Sequence, residues 1–173
     1  MDAPEGLTLD RHRDLKGRES RPLVRGALLV VLSAILVAAL LGVFGQRRVE
    51  TRVASAAASL EVSAPTRLRG GLFFEARFRI EAGTDLENAT LVLDPGWLED
   101  ITLNTLSPAP KSESSRDGRI ALELGAIPAG DEHRLYLHFQ VNPTAVGIRS
   151  QDVELYDGDR SLAGLDRTAW IWP

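Results

Sequence analysis

Few residues in this sequence combine the types and spacing that enzyme chemistry requires. The strongest candidates are Glu99 and Asp100, adjacent carboxylates in a turn that follows Trp97. Two carboxylates can act as acid and base in hydrolysis when both face one cleft, about 5–10 Å apart. The sequence has no motif for a serine nucleophile, a zinc protease, a P-loop or a dinucleotide site. A surface-carboxylate hydrolase is therefore an alternative, and the sequence favours a protein that is not an enzyme.

Residues that could bind a metal are equally sparse. The chain has no Cys, which excludes disulfides and thiolate metal sites. His133 and His138 are five residues apart on a predicted strand, so their side chains should point to opposite faces. Asp157, Gly158 and Asp159 contain ligand types for calcium but lack the longer ligand series, and they are typical of a hairpin turn. We expect no metal site and no cofactor.

The longest apolar stretch lies near the N-terminus, at residues 26–45 with the sequence GALLVVLSAILVAALLGVFG. As a helix this uncharged stretch would span roughly 30 Å, the thickness of the hydrocarbon core of a bilayer. A cleaved signal peptide is the alternative, since small-residue patterns follow at residues 54–56 and 56–58. The apolar run exceeds the length of a signal core, and a charged stretch separates it from those patterns. We therefore predict an uncleaved transmembrane helix.

Three small residues recur every four positions within this span and should share one helix face: Ala34, Ala38 and Gly42. Small residues let two helix backbones approach closely in lipid. This face is a candidate for forming a homodimer, or for packing against another membrane protein.

The residues on either side of the span predict its orientation. Residues 1–25 are polar, mixed in charge and without apolar periodicity, so we expect a disordered tail. Six of them are basic, namely Arg11, Arg13, Lys16, Arg18, Arg21 and Arg25. Only Arg47, Arg48 and Arg52 follow the span at close range. Basic residues are retained on the cytoplasmic side, so the tail should be cytoplasmic and the rest of the chain extracytoplasmic.

The remainder of the chain predicts a short stalk and one all-β domain. Residues 46–57 are rich in Ala and Arg and could continue the helix as a stalk. From residue 58 to residue 173 the hydrophobic pattern alternates with a period of two, which is typical of strands with one buried face. Eight strands are predicted, at residues 59–65, 72–82, 89–94, 101–106, 119–124, 133–141, 150–156 and 161–172. Their spacing of roughly ten residues indicates an antiparallel sandwich of about seven to eight strands.

Two strands of this domain should contribute side chains to one common core. Alternation places one set of apolar side chains on a common buried face: Phe74, Phe78, Ile80, Leu135, Leu137 and Phe139. Trp97 should be at least partly buried, as is usual for a large aromatic residue in a sandwich. The polar segment 107–118 is too long for a tight hairpin, so it should be a surface loop or, alternatively, a loop that binds a partner.

The charge of the domain limits its partners. From Ala58 onward the chain has 18 acidic and 11 basic residues, a formal net charge of −7. Binding of nucleic acid depends on a basic surface that neutralises phosphates. Nucleic acid is therefore excluded as the expected partner.

The order of turns in this domain is similar to that of a known family. A strand leads into RIEAGTDLENATLVLDPGWLEDIT, and GRIALELGAIPAGDEHRLYLHFQV follows a Pro-containing loop. This arrangement resembles the bacterial conserved-repeat type of immunoglobulin-like domain. The matching positions are Asn88, Asp94, Pro95, Gly96, Leu124, Gly125, Ile127, Ala129 and Gly130, whereas Ala82-Gly83 departs from the family pattern. The resemblance implies an extracytoplasmic structural or interaction module of a bacterium, without an active site.

The C-terminal end of the chain carries a distinctive aromatic pattern. Trp170 and Trp172 are two residues apart and should lie on one face of the last strand, with Ile171 on the other. If eight strands each reverse direction, the last strand ends at the membrane-proximal end of the domain. Trp prefers the membrane–water interface, so these residues could contact lipid or a partner. Closure of the core is the alternative.

Together these features predict a single-pass membrane protein with an extracytoplasmic binding or accessory module. We expect it to act through contacts with another membrane or envelope protein, in addition to the lipid bilayer. A glycan-binding, adhesin-like domain is a further alternative, for which an exposed row of aromatic residues would be the sign.

Overall fold

The computed structural model describes residues 21–43 and 45–173 of the chain. The chain divides into two units, residues 1–44 and residues 45–173. The predicted disordered tail falls almost entirely outside the described residues, as do four of its basic residues, Arg11, Arg13, Lys16 and Arg18.

In the first unit, the described residues 21–43 contain one helix, α1 (Arg21–Leu40). Within it, Leu23–Leu40 is long and apolar enough to cross a membrane, by length and composition. The helix begins five residues earlier than the predicted span, because Arg21, Pro22 and Arg25 are all compatible with its first turns. It also ends five residues earlier than predicted.

The end of α1 is set by Gly42, which corrects one prediction. Gly42 has a φ of 70°, and such left-handed backbone favours glycine. The Val43 N–H donates to the Ala38 carbonyl at 3.0 Å, and the Gly42 N–H to the Ala39 carbonyl at 2.9 Å. These two bonds form a Schellman motif, which terminates a helix. Gly42 therefore follows α1 and does not extend the face of Ala34 and Ala38.

The second unit contains thirteen strands over residues 45–173, more than the predicted eight. In chain order they are β1 (Arg48–Ala54), β2 (Ala58–Pro65), β3 (Arg67–Arg69), β4 (Phe73–Ala82), β5 (Leu86–Leu93), β6 (Ile101–Ser107), β7 (Ser112–Arg116), β8 (Arg119–Ile127), β9 (Glu132–Val141), β10 (Gly147–Ser150), β11 (Val153–Asp157), β12 (Arg160–Leu165) and β13 (Thr168–Trp172). A short 3-10 helix, Pro95–Trp97, follows β5.

The strands form an all-β sandwich with two main antiparallel sheets, as the sequence predicts. One five-stranded antiparallel sheet has the order β1-β2-β4-β9-β6, and the other has the order β12-β11-β5-β8-β7. A smaller sheet, β10-β13-β3, has three strands. In it, β13 pairs antiparallel with β10 and parallel with β3.

The core is built by the residues that alternation identifies. All six predicted core residues of β4 and β9 belong to one buried cluster. Trp97 is fully buried, and its ring lies 5.5 Å from that of Phe78 and 5.7 Å from that of Phe139. The 3-10 helix thus places an aromatic side chain in the core, against β4 and β9.

Strand β1 occupies the stretch in which a helical stalk was expected. It pairs with β2 along its whole length, from Arg48 opposite Pro65 to Ala54 opposite Ser59. A helical continuation is therefore wrong here. Pairing with β2 supplies hydrogen-bond partners for the backbone N–H and C=O groups of β1, and this outweighs the local helix propensity of Ala and Arg.

Strand β7 occupies the middle of the segment predicted as a surface loop. It forms a hairpin with β8 in which Arg116 lies opposite Arg119. The two residues between them, Asp117 and Gly118, have φ values of 53° and 77°. Positive φ at both central positions is typical of the type I′ turn that closes two-residue hairpins. All of Ser112 to Ser115 is exposed at the edge of the sheet.

The predicted strand 161–172 is divided into β12 and β13, and the predicted strand 150–156 begins only at Val153, after a separate strand β10, because the chain changes sheets at adjacent points. Between β10 and β11 the Gln151 N–H donates to the Arg167 carbonyl at 2.7 Å. Between β12 and β13 the Arg167 N–H donates to Asp152 Oδ1 at 2.6 Å. Strands that pass from one sheet to another form the corners of a sandwich. The small sheet exists because both connections turn here.

We expect Gly96→Ala to destabilise the domain, because the 3-10 helix lies directly against the chain at Ser150. A Cβ atom at Gly96 would lie 2.0 Å from the Ser150 carbonyl oxygen, which is backbone and must shift. Such overpacking costs about 1–3 kcal/mol. Pulse proteolysis of the full chain across a urea series measures the change in the free energy of unfolding.

Gly164→Ala is the matched control for this prediction. Its added Cβ would meet only the Glu154 side chain, at 3.8 Å, which is an ordinary contact. We expect a change within about 0.5 kcal/mol. Equal effects of the two substitutions would show that the 3-10 helix does not pack against Ser150 as described.

Candidate interaction surface

The small sheet presents one buried and one exposed face, and its exposed face is apolar in part. Along β13, Ala169 and Ile171 are fully buried, whereas Trp170 and Trp172 are 47% and 38% exposed. The predicted division of the two tryptophans from Ile171 is thus present. Because Ile171 is completely buried, it closes the core and does not belong to a contact surface, which corrects the prediction that grouped it with them.

The two tryptophan rings stack on each other outside the core. Their centroids are 4.0 Å apart and their planes differ by 27°. Ile148 lies directly opposite Trp170 on β10 and is 69% exposed. Directly opposed residues of an antiparallel pair share one face, so Ile148 extends the apolar surface.

Basic side chains border this surface on its other side. In the parallel pairing of β13 with β3, Arg67 lies opposite Trp170 and Arg69 opposite Trp172. Both arginines are exposed, and Leu68 between them is buried. We call the surface formed by Ile148, Trp170, Trp172, Arg67 and Arg69 the tryptophan face.

The tryptophan face lies at the end of the domain where the chain enters it. The Gly70 N–H donates to the Trp172 carbonyl at 2.8 Å, in the turn that leads to Leu72 and Phe73. These two apolar residues are 47% and 66% exposed. Gln46 and Arg48, among the first residues of the domain, line one depression together with Phe73.

The arrangement at this end does not arise from the strand count that the sequence suggested. The prediction assumed eight strands that each reverse the direction of the chain. The domain has thirteen strands, two of which pair in parallel, so such a count does not locate the end of the last strand. The placement follows from β1, which begins opposite the end of β2 at Pro65, and from β3, which follows immediately and pairs with β13.

The two candidate catalytic carboxylates do not converge on a cleft of their own. Arg149 lies between them, with its Nη2 2.8 Å from Asp100 Oδ2 and its Nε 3.6 Å from Glu99 Oε2. The Glu99 and Asp100 side chains are 61% and 52% exposed. Both carboxylates therefore serve as partners of one cation at the surface.

The outer face of the sheet that contains β4 and β9 carries a network of ion pairs. A hydrogen bond from Arg77 holds the pKa of the Glu75 carboxyl below its usual value. Arg134 and Arg79 act in the same way on the pKa of Glu132, which both contact directly. Exposed ion pairs of this kind contribute little to stability. The face is a solvated surface, as the alternation along β4 predicts.

The two histidines lie on opposite faces of β9, as predicted. His133 is on the side of the buried residues, and its partial desolvation lowers its pKa. His138 is exposed, and its Nε2 lies 3.5 Å from Glu75 Oε2. Among residues 21–43 and 45–173, no group of three or more His, Asp or Glu side chains is placed to hold a metal ion.

The Asp-Gly-Asp segment forms the tip of the β11–β12 hairpin, as predicted. Asp157 Oδ1 accepts a hydrogen bond from the Asn88 N–H at 2.8 Å. Asp159 pairs with Arg116, whose guanidinium also donates to the Gly158 carbonyl. Asp157 and Asp159 are therefore accounted for by the hydrogen bond and the ion pair that they form around the hairpin.

A buried cation close to the tryptophan face was not predicted from the sequence. Arg167 is only 5% exposed, and burial lowers its pKa to about 10. Its Nη2 donates to the Ala64 carbonyl, and its guanidinium carbon lies 5.7 Å from the centre of the Trp97 ring. The neighbouring Gln151 is also completely buried. The sequence offers one weak signal: Arg167 follows Asp166, and Asp is uncommon within strands, which could have indicated a break between two strands at this point.

Comparison with known proteins gives similarity only at the level of the fold. No protein-family model and no curated protein matches the sequence. A non-cellulosomal cohesin from the hyperthermophilic archaeon Archaeoglobus fulgidus is 18% identical over 62% of this chain and 86% of that chain, with a TM-score of 0.41. The C-terminal domain of Wzt is 13% identical over 75% and 81% of the two chains, with a TM-score of 0.43. A FixG-related protein from Vibrio parahaemolyticus is 11% identical over 69% and 100%, with a TM-score of 0.39. At these TM-scores the similarities assign no family and no function to this chain.

Proposed function

We propose that this chain is a single-pass membrane protein of a bacterial cell envelope whose β domain is an extracytoplasmic interaction or accessory module. In this proposal residues 1–25 are the cytoplasmic tail, α1 is the anchor, and the sandwich is an immunoglobulin-like domain of the conserved-repeat type. The module acts by binding another membrane or envelope protein and has no catalytic role.

The observation that carries the proposal is the bare apolar surface of α1. None of the segment Leu23–Leu40 is buried by other residues in the part of the chain that the structure describes. An uncovered apolar helix of this length is stable in a bilayer, where its backbone is satisfied internally and its side chains face lipid. Six basic residues lie at positions 11–25, whereas only Arg47, Arg48 and Arg52 follow the apolar segment at close range, and this difference supports a cytoplasmic N-terminus by the positive-inside rule.

The edges of the sandwich support a role in protein contacts. Strands β7 and β6 are edge strands of the two large sheets, whose opposite edges are β12 and β1. An edge strand presents unpaired backbone groups to which a partner strand can be added. The exposed residues Ser112 to Ser115 leave the β7 edge sterically open. We propose this edge as the site of protein contact, in the segment 107–118.

Self-association through α1 is a second part of the proposal. Ala34 and Ala38 lie one turn apart on α1 and permit close approach of a second helix. Gly42 lies beyond the end of α1, so this contact is limited to two small residues and to the helix segment around them.

Glycan binding by an adhesin-like domain is a second candidate, because the two exposed tryptophans are the type of residue that stacks on sugars. In this structure, however, their rings stack on each other at 4.0 Å. Each ring therefore covers part of its neighbour, and the pair does not form an extended row. We place this candidate second for that reason.

The proposed protein contact is tested by photo-crosslinking in membranes of cells that produce the full chain. A benzoylphenylalanine residue replaces Ser114 on β7, and in a matched control it replaces Arg134, an exposed residue of the ion-paired face. We expect a discrete protein adduct from position 114 and none from position 134. The absence of an adduct from position 114 would contradict a protein contact at this edge.

A further inference from the structure

We propose that the tryptophan face, together with Leu72 and Phe73, docks on the surface of the bilayer that α1 spans. The inference rests on the proposed function, because it requires α1 to be a membrane anchor. The occupant of the face is lipid, contacted at the level of the headgroups and the adjoining acyl chains.

The chemistry of the face fits the membrane interface. Trp170, Trp172, Ile148 and Phe73 are between 38% and 69% exposed, at one end of a domain whose other large apolar residues are mostly buried. Tryptophan has an apolar ring and a polar N–H, and it is enriched where hydrocarbon meets water. Grouped apolar side chains at a protein surface mark a contact with a membrane or a partner.

The length of the connecting chain places this end of the domain within reach of lipid. Only residues 41–45 separate the end of α1 at Leu40 from Gln46. At about 3.5 Å per residue, Gln46 lies no more than roughly 20 Å from the end of α1. Gln46 lines the same depression as Phe73, and the turn before Phe73 is hydrogen-bonded to Trp172. When α1 spans the bilayer, the exposed apolar residues are therefore close to its surface.

The distribution of charge favours this orientation over the reverse one. The residues from Ala58 onward have a formal net charge of −7, yet the tryptophan face is bordered by Arg67 and Arg69. On the opposite border, Arg149 of β10 forms ion pairs with Glu99 and Asp100 and so partly neutralises their negative charge. An anionic lipid surface attracts the arginines of β3 and repels the acidic remainder of the domain.

Docking in this way would hold the opposite end of the domain away from the membrane. Strand β4 runs from Phe73 at the docked end to Ala82, ten residues that span about 30 Å. The exposed turn at Thr84 then faces outward. The domain would be held in a defined orientation, with the β6 and β7 edges presented to the side.

The test uses the full chain in liposomes, with lipids brominated on their acyl chains as fluorescence quenchers. The chain has three tryptophans. In Trp97→Phe only Trp170 and Trp172 remain, and we expect their emission to fall at least about twofold in brominated vesicles. In the matched control, with Trp170→Phe and Trp172→Phe, only the buried Trp97 remains, and we expect its emission to be unchanged.

A second measurement keeps the inference testable if Trp97→Phe does not fold. Because the chain has no cysteine, Ile148→Cys can be labelled with the environment-sensitive dye NBD, and Thr84→Cys serves as the control at the opposite end. We expect a blue shift and stronger emission from position 148 in liposomes, and the emission typical of water from position 84. The shift should be larger in vesicles with anionic lipid than in purely zwitterionic vesicles.

The outcomes separate the inference from the proposed function. Flotation of the liposomes on a density gradient reports anchoring, and a chain that does not float overturns the proposed function. A chain that floats but shows neither quenching nor a blue shift overturns docking and leaves the anchor intact. Tryptophan or NBD emission that changes only when more of the chain is added would assign the face to a second copy of the chain. Emission that changes only when cell-wall glycan is added would assign it to glycan. Either result also overturns docking on lipid.

Discussion

Trp97→Ala is expected to produce one of the two largest losses of stability among single substitutions in this domain. The Trp97 ring is fully buried between Phe78 and Phe139. Its Nε1–H donates to the Asp152 carbonyl at 3.3 Å, and its ring lies beside the buried Arg167 guanidinium. Truncation to Ala leaves a large cavity and removes a partner of a buried cation. We expect the free energy of unfolding to fall by about 3–5 kcal/mol.

Trp170→Ala is the matched control, since it removes the same side chain from an exposed position. Trp170 is 47% exposed and contacts Trp172 outside the core. We expect a loss of no more than about 1 kcal/mol, the size of one aromatic pair contact. Pulse proteolysis of the full chain across a urea series measures both variants. Similar losses for the two would place Trp97 outside the core and refute the described packing.

Phe78→Ala is the second substitution with a large expected effect. Phe78 is 1% exposed and lies on the buried face of β4, opposite Leu135 of β9 and next to the Trp97 ring. Because β4 is a central strand of its sheet, the surrounding side chains cannot collapse freely into the space that is left. We expect a loss of about 3–5 kcal/mol, measured by the same urea series.

Phe73→Ala is the control for Phe78→Ala, on the same strand and with the same change in volume. Phe73 is 66% exposed. We expect its removal to change the free energy of unfolding by no more than about 0.5 kcal/mol. If Phe73→Ala were the more destabilising of the two, the assignment of buried and exposed faces along β4 would be inverted.

The core could be predicted from the sequence because a local pattern determines it. Along β4 and β9, every second side chain is apolar, and strand geometry places these residues on one face. No knowledge of the rest of the chain is needed for that step. The pattern therefore predicts correctly that Phe78 and Leu135 are buried, although nothing in it indicates that they lie opposite each other.

The elements that were missed depend on contacts between distant parts of the chain. Residues 48–54 belong to an Ala- and Arg-rich stretch, but Val49, Thr51 and Val53 alternate as in a strand, and pairing with β2 along the whole length of β1 confirms that structure. The Ser-rich β7 has no apolar alternation, because both of its faces are exposed at a sheet edge. The breaks at Gln151 and Arg167 are stabilised by hydrogen bonds between the two connections, which neither local sequence reveals.

The sequence predicts only part of the tryptophan face. The spacing of Trp170 and Trp172 predicts a common face by itself. Ile148, Arg67 and Arg69 join that face through the order β10-β13-β3, which includes a parallel pair that an alternating, hairpin-by-hairpin reading does not anticipate. The same pairing places the tryptophans at the end of the domain where the chain enters.

The most direct test of the account is the side of the membrane on which the β domain lies. The chain has no native cysteine, so single substitutions Thr84→Cys and Glu5→Cys report two positions without background labelling. In intact cells that produce the full chain, we expect a membrane-impermeant maleimide to label position 84, and to label position 5 only after permeabilisation. Labelling of position 5 but not position 84 in intact cells would contradict an extracytoplasmic interaction module anchored by α1.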